Sequence, residues 1–167
     1  MKPALLLIAL LSMAATLTAQ AHGEKKHAPA VDPVAQQTAW GIAGRPAQVT
    51  RTITIVMTDA MRFTPDTLTV QEGDTVHFVV KNRGRMLHEM VIGTPGELAK
   101  HAAMMAKFPN MEHDEPYMVH VDPGNSGEIV WHFNRAGRFE FACLIAGHYE
   151  AGMRGTLTIN PKQGAEK

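Results

Sequence analysis

Short alternating segments dominate the sequence from Val49 onward and constrain its fold more than any other feature. In "TRTITIVMT", Ile53, Ile55 and Met57 alternate with the residues between them, which is the period of a strand with one buried face. Similar segments recur between Gly, Pro, Asn and Asp residues: "TLTVQEGDTVHFVVKN", "LHEMVIG", "YMVHVDPGNSGEIVWHFN", "GRFEFACL" and "GMRGTLTINP". The pattern predicts about seven or eight short strands in an antiparallel sandwich or barrel.

One segment departs from the alternation. The residues "GELAKHAAMMAKF" have the composition of a helix, with Pro95 just ahead of them and Pro109 just behind. We therefore predict an all-β domain over residues 47–161 with a short helical insertion. The apolar residues on alternating strand positions are enough for a single core in a domain of this size.

The first 21 residues have the features of a secretory signal. Lys2 precedes an apolar stretch, Leu5 to Leu17, and Ala19-Gln20-Ala21 fits the small-x-small cleavage rule. Residues 1–21 are therefore predicted to be a signal peptide cleaved before His22, so that the chain is exported. The alternative is an uncleaved membrane anchor, although the apolar stretch is short for a span.

Two further segments flank the predicted domain. Residues 22–46 are rich in Ala, Pro, Gly and charge and have no sustained period, so they are predicted to be a flexible tail containing histidine. Trp40 is a candidate anchor of this tail on the domain. Residues 162–167 are predicted to be a C-terminal tail.

Charge and cysteine content narrow the possible functions. Cleavage would remove Lys2 and no acidic residue, which leaves 15 Lys and Arg against 16 Asp and Glu. Nucleic-acid binding calls for a basic patch, and this balance of charge does not indicate one. The chain has one cysteine, Cys143, which cannot form an internal disulfide. In an oxidising compartment this thiol must be either buried and inert or occupied.

The surroundings of Cys143 favour occupation by a metal. Cys143, His148 and Met153 form Cys-x4-His-x4-Met between two predicted strands. Two histidines and a thiolate with a weak axial thioether are the ligand set of an electron-transfer copper site, so a second histidine is required. The best candidate is His88, at a strand start in "GRMLHEMVIG". Taken singly, the alternatives are a buried structural thiol, a surface histidine and a core methionine.

At these residues the sequence resembles the cupredoxins. The resemblance runs from about Thr50 to Asn160 and is carried by "FTPDTLTVQEGDTVHFVVKN", "LHEMVIG", "GEIVWHFNRAGRFEFACLIAGH" and "EAGMRGTLTI". It implies a Greek-key β-sandwich whose helical insertion lies between the His-ligand strand and the Cys-ligand strand. It also implies a type 1 copper ion held by His88, Cys143, His148 and Met153.

The segments "MLHEMVIGTPGELAKHAAMM" and "FPNMEHDEPYMVHV" resemble, more narrowly, the periplasmic copper-tolerance cupredoxins of proteobacteria. This resemblance implies copper handling in the periplasm. One departure is Ala146 in "CLIAGH", where that group often has Pro, and the tail here carries few histidines.

A second set of soft ligands lies between residues 101 and 120. It predicts either an accessory copper site or a helix whose methionines pack on the sandwich beside surface histidines. An N-terminal His22, with His27, could also chelate Cu(II), although a plain tail is the favoured alternative. The candidates of the internal segment are His101, Met104, Met105, Met111, His113, Met118 and His120.

The residues beside His88 have their own expected roles. Met90 points with His88 in a strand and is predicted to pack near the metal, whereas Glu89 points the opposite way and is predicted to be a surface charge or a hydrogen-bond partner.

The functional expectation is a periplasmic type 1 copper protein that contributes to copper tolerance, either by sequestering copper or by passing electrons or metal to a partner protein. The alternative is an electron carrier that serves a respiratory or denitrifying oxidoreductase. An enzyme is not expected, because four protein ligands leave no open position on the metal.

Overall fold

The computed structural model describes residues 36–109, 111, 113–162 and 164. The predicted signal peptide, His22 and His27 lie outside these residues. In the described part of the chain there are ten strands and one α-helix. They are β1 Ile42–Ala43, β2 Arg51–Thr58, β3 Arg62–Thr64, β4 Thr67–Gln71, β5 Thr75–Asn82, β6 His88–Gly93, α1 Pro95–Lys107, β7 Met118–Val121, β8 Ser126–His132, β9 Gly137–Ala142 and β10 Arg154–Asn160.

The strands form two sheets that enclose one core. The first sheet has the order β1-β8-β5-β2-β3 and the second β4-β10-β9-β6-β7. Alternate residues of β2 face inward as predicted, with Ile53, Ile55 and Met57 buried. The largest buried side chains of the core are aromatic and include Trp131, Phe78, Phe133 and Phe141. The predicted β-sandwich is therefore confirmed.

The prediction that all strands run antiparallel is wrong for two pairs. β2 pairs with β5 and β4 pairs with β10 in parallel. β4 and β5 are adjacent in the sequence, but the turn at Glu72 and Gly73 carries the chain from one sheet to the other. Alternation shows which residues face inward, but it contains no information about which strands are partners or how they are oriented.

The last residues before the domain pack on it. β1 pairs with β8, and Trp40 is buried with its carbonyl oxygen accepting a 3.1 Å hydrogen bond from the indole of Trp131. Trp40 therefore anchors the end of the segment that was predicted as a tail.

Helix α1 follows β6, which begins with His88, and precedes β9, which leads to Cys143. This is the predicted place of the helical insertion. Thr94 caps it: the side chain of Thr94 accepts from the backbone N–H of Glu97, and the Glu97 carboxylate accepts from the backbone N–H of Thr94. The apolar face of α1 packs on the outer side of β6, β7 and β9, because these strands also carry buried residues on that side. This second cluster contains Val91, Leu98, Ala102, Met105, Met118, Ala142 and Leu144.

Met105 and Met104 offer a matched test of this packing. Met105 is 3% exposed under the helix, whereas its neighbour Met104 is 43% exposed. We expect Met105→Ala to lower the free energy of unfolding by about 2–5 kcal/mol, because it leaves a cavity. Met104→Ala should change it by no more than about 0.5 kcal/mol. Urea unfolding of both variants measures this, and equal losses would contradict the assigned packing.

Candidate metal centre

Two neighbouring strands bring the predicted ligands together. β6 begins at His88, and it pairs antiparallel with β9, which ends one residue before Cys143. The loop from β9 to β10 then supplies His148. Nitrogen and sulfur atoms of His88, Cys143 and His148 all lie within 4.8 Å of one another. This spacing allows a single ion to contact all three.

Backbone hydrogen bonds hold the loop between Cys143 and Met153 in shape. The N–H of Cys143 donates to the carbonyl of Met153 at 3.0 Å, and the N–H of Met153 donates to the carbonyl of His148 at 3.0 Å. Gly147 and Gly152 both have φ 87°, a left-handed conformation that glycine adopts without steric cost. These hydrogen bonds fix the conformation of the loop, although Ala146 stands where related proteins often have proline.

His88 is oriented by a residue that sequence reasoning missed. The Nε2 atom of His88 lies 3.1 Å from Oδ1 of Asp59, in the turn after β2. The backbone N–H of Arg85 also donates to Asp59 and is the main reason why the pKa of that carboxyl is lowered. In the sequence, the only signal that points to Asp59 is its position in a turn between two strands.

The other ring nitrogen of His88 indicates a missing partner. Nδ1 of His88 is buried and has no hydrogen-bond partner. An orphaned buried polar atom is costly, and it is also the atom that would face an ion shared with Cys143 and His148. The residues therefore fit a copper ion, because the donors are two imidazoles and one thiol.

Cys143 is a buried thiol with polar groups on two sides. Its Sγ lies 3.3 Å from Nδ1 of His148 and 3.4 Å from the backbone N–H of Glu89, which donates to it. Burial raises the pKa of Cys143 to about 12. The thiol is therefore protonated at neutral pH, and a metal that binds there must displace a proton.

His148 lies at the edge of the site. Its ring centroid is 5.0 Å from that of His88. Burial, followed by the nearby His88, lowers the pKa of His148, so its ring is neutral and able to bind a metal at neutral pH.

Met153 is fully buried in the core next to these residues. Its backbone joins Cys143 to His148 through the two hydrogen bonds described above. Met90 is also fully buried in the core, two residues after His88. The assignment of the Met153 thioether as the axial ligand stays a prediction.

Glu89 is a second support of the site, and the sequence predicted its role only as one of two alternatives. It is completely buried, so a surface charge was wrong and a hydrogen-bond partner was right. Its Oε1 accepts a 2.7 Å hydrogen bond from the backbone N–H of Leu144, and its Oε2 lies 2.8 Å from Nε2 of His120. Pairing of this kind is what makes a buried carboxylate tolerable.

The histidines of the predicted accessory set come together on the far side of Glu89. Nε2 of His101 lies 2.5 Å from Nε2 of His113, and the rings of His113 and His120 are 5.7 Å apart and tilted by 31°. We call His101, His113 and His120 the three-histidine cluster. Burial and the neighbouring His113 lower the pKa of His101, whereas contact with Glu89 raises that of His120.

The methionines of that set are divided. Met105 and Met118 are buried under the helix, and Met104 and Met111 are exposed. A pocket of about 670 Å³ has Met105, Met111, His113 and His120 in its lining and extends to Ile145 in the copper-site loop. Met118 is thus a packing residue, whereas Met111 is an exposed thioether that lines the same pocket as His113 and His120.

Known copper proteins are similar to this chain over most of its length. A profile described as copper binding proteins, plastocyanin/azurin family, matches residues 49–160. The copper-resistant cuproprotein CopI of Rubrivivax gelatinosus is 49% identical over 165 residues, covering 95% of this chain and 96% of that protein. CopI of Pseudomonas aeruginosa is 37% identical over 152 residues, covering 74% and 83%.

A solved structure supports the fold. The dithionite-reduced auracyanin of Roseiflexus castenholzii superposes with a TM-score of 0.59 at 24% identity, covering 68% of this chain and 99% of that one. At this identity the likeness shows the β-sandwich alone.

The thiol of Cys143 should be unreactive in the metal-free folded protein. Because burial raises its pKa to about 12, we expect iodoacetamide at about pH 8 to modify it at least about a hundredfold more slowly than in the denatured protein. Mass spectrometry of timed samples measures both rates. Similar rates in the two states would contradict the burial of Cys143.

Proposed function

The chain belongs to the plastocyanin/azurin family of copper-binding proteins, and we propose that it is an exported type 1 copper protein that contributes to copper tolerance. His88, Cys143 and His148 would hold the copper ion, and the thioether of Met153 would be a fourth, weaker donor. The observation that carries the proposal is that ligand atoms of His88, Cys143 and His148 lie within 4.8 Å of one another, beside a buried Nδ1 of His88 that has no hydrogen-bond partner.

The residues of the site give it the properties that electron transfer requires. Copper bound here supplies a one-electron Cu(I)/Cu(II) couple. Asp59 holds the His88 ring, and the closed loop holds Cys143 and His148, so that the ligands need not move when the charge of the ion changes. The apolar core, of which the fully buried Cys143 is a member, keeps water away from the sulfur.

Copper tolerance is favoured over electron transport by two observations. The Rubrivivax gelatinosus protein that matches nearly the whole chain is described as copper-resistant. The three-histidine cluster and Met111 also offer imidazole and thioether ligands beyond a single type 1 site, which suits storage or transfer of further copper. His22 and His27 remain candidates for the same role.

The alternative function is electron transfer to a respiratory or denitrifying oxidoreductase. One observation favours it: Met86 and Leu87, just before His88, are both 40% exposed. An exposed apolar patch beside a redox site is suited to brief docking of a partner.

Location and partner follow from the same proposal. The features of residues 1–21 support export to the periplasm. In the part of the chain that the structure describes, no helix is long and apolar enough to cross a membrane. The partner would be a periplasmic protein that exchanges electrons or copper with this one. Four protein ligands leave no coordination position for a substrate, which argues against an enzyme.

Titration of the metal-free mature protein with Cu(II) tests the proposed site. We expect an intense thiolate-to-copper absorption band that saturates at about one equivalent of Cu(II) per protein, because one thiolate binds one ion. Cys143→Ser should remove the band while circular dichroism shows the sandwich still folded. Met153→Gln should keep the band and shift the reduction potential. A band that persists without Cys143 would overturn the assignment.

Copper bound beyond that first equivalent tests the accessory site. The double variant His101→Ala with His113→Ala should lose further equivalents and keep the visible band, because these rings lie outside the type 1 site. The matched control is His77→Ala. His77 lies on β5 in the first sheet, away from the cluster, and its Nε2 is 3.2 Å from Glu128 on the neighbouring strand β8. Equal copper counts in both variants, measured by atomic absorption after dialysis, would exclude the cluster as a copper site.

A further inference from the structure

Among the residues that the structure describes, Glu89 is the one that touches both the copper site and the three-histidine cluster through polar atoms. All six residues of β6 are buried, and Glu89 follows directly after His88. A carboxylate is an expensive choice at a position with no exposed surface. The contacts of Glu89 must therefore stabilise the carboxylate, and they connect it to both sites.

On one side, Glu89 holds Cys143 at two points. Its backbone N–H donates to Sγ of Cys143 at 3.4 Å, and its Oε1 accepts from the N–H of Leu144 at 2.7 Å. The first contact acts on the sulfur itself and the second on the peptide that follows it. Hydrogen bonds at a thiolate ligand, and groups that orient the ligand, tune the potential of a copper site.

On the other side, Glu89 meets the cluster through His120. β6 and β7 place these two residues directly opposite each other, and Oε2 of Glu89 lies 2.8 Å from Nε2 of His120. The His120 side chain is 37% exposed and its ring lies against that of His113. A continuous series of contacts thus leads from the three-histidine cluster to Sγ of Cys143.

We propose that Glu89 is a positioning residue that transmits metal occupancy of the three-histidine cluster to the copper site through Cys143. The inference rests on the proposed function, because it requires copper at His88, Cys143 and His148. A metal ion bound at Nε2 of His120 replaces the contact with Glu89, whereas an ion bound at Nδ1 leaves Glu89 in contact with a ring that now carries the charge of the metal. In both cases the negative charge beside Cys143 is redistributed.

The direction of the effect follows from charge. A carboxylate near the copper site stabilises Cu(II) more than Cu(I), because Cu(II) carries the higher charge. A cation next to Glu89 offsets that preference. Metal binding at the cluster therefore raises the reduction potential of the copper site, so that copper is held there more readily as Cu(I) when the cluster is loaded.

Zinc is the appropriate probe for the experiment. It binds imidazole, is redox-inactive and has no visible absorption, and it binds more weakly than Cu(II) and so does not displace copper from the type 1 site. The copper-loaded protein is titrated with Zn²⁺ while calorimetry reports zinc binding and a redox titration reports the potential. The variants are Glu89→Gln, which keeps the shape and the acceptor for Leu144, and His77→Gln as the control.

We expect zinc to shift the potential of the unmodified protein and of His77→Gln upward. Glu89→Gln should start from a higher potential, bind zinc and show no further shift. Zinc binding without a shift in the unmodified protein, an equal shift in Glu89→Gln, or no zinc binding at the cluster would each overturn the inference. Absence of the copper band before zinc is added would instead overturn the proposed function.

A second measurement does not depend on a variant that folds. In the Cu(I) protein, which is diamagnetic, zinc should move the backbone amide resonances of Glu89 and Leu144 together with those of His120. Shifts confined to the cluster, with both amides unchanged, would show that occupancy is not transmitted to Cys143.

Discussion

The antiparallel pairing of β6 with β9 is the contact on which the functional site depends. Val91 lies opposite Ala142 in that pair, so the start of β6 and the end of β9 lie at the same edge of the sheet. His88 and Cys143, 55 positions apart in the chain, are thereby neighbours. β10 pairs with the other side of β9 and returns Met153 to the same edge. A slip of one residue in this register would turn His88 away from the site.

The site concentrates buried polar groups in an apolar setting, and each has a defined restraint. Asp59 holds one nitrogen of His88, Leu144 and His120 hold the carboxylate of Glu89, and Cys143 is protonated in the metal-free protein. Nδ1 of His88 has no hydrogen-bond partner, and a copper ion held by His88 would supply one. Restraint of this kind suits a metal whose two oxidation states must share one geometry.

Part of the fold and of the site could be predicted from the sequence. The helix, the inward face of β2 and the meeting of His88 with Cys143 and His148 were predicted, because they follow from periodicity and from the ligand chemistry of a short motif. The parallel pairs β2 with β5 and β4 with β10 were not, because alternation does not identify partners. Asp59 was missed, and Glu89 was predicted as a hydrogen-bond partner without its partners being identified, since each acts on a residue distant in sequence.

The sequence by itself determined the class of fold and the chemistry of the metal, because local period and ligand type are properties of short segments. Only the tertiary structure decided how those segments are combined. It buried Glu89, joined it to His120 across β6 and β7, and divided the methionines of the accessory set into packed and exposed members. These outcomes depend on strand order and register, which arise from packing over the whole domain.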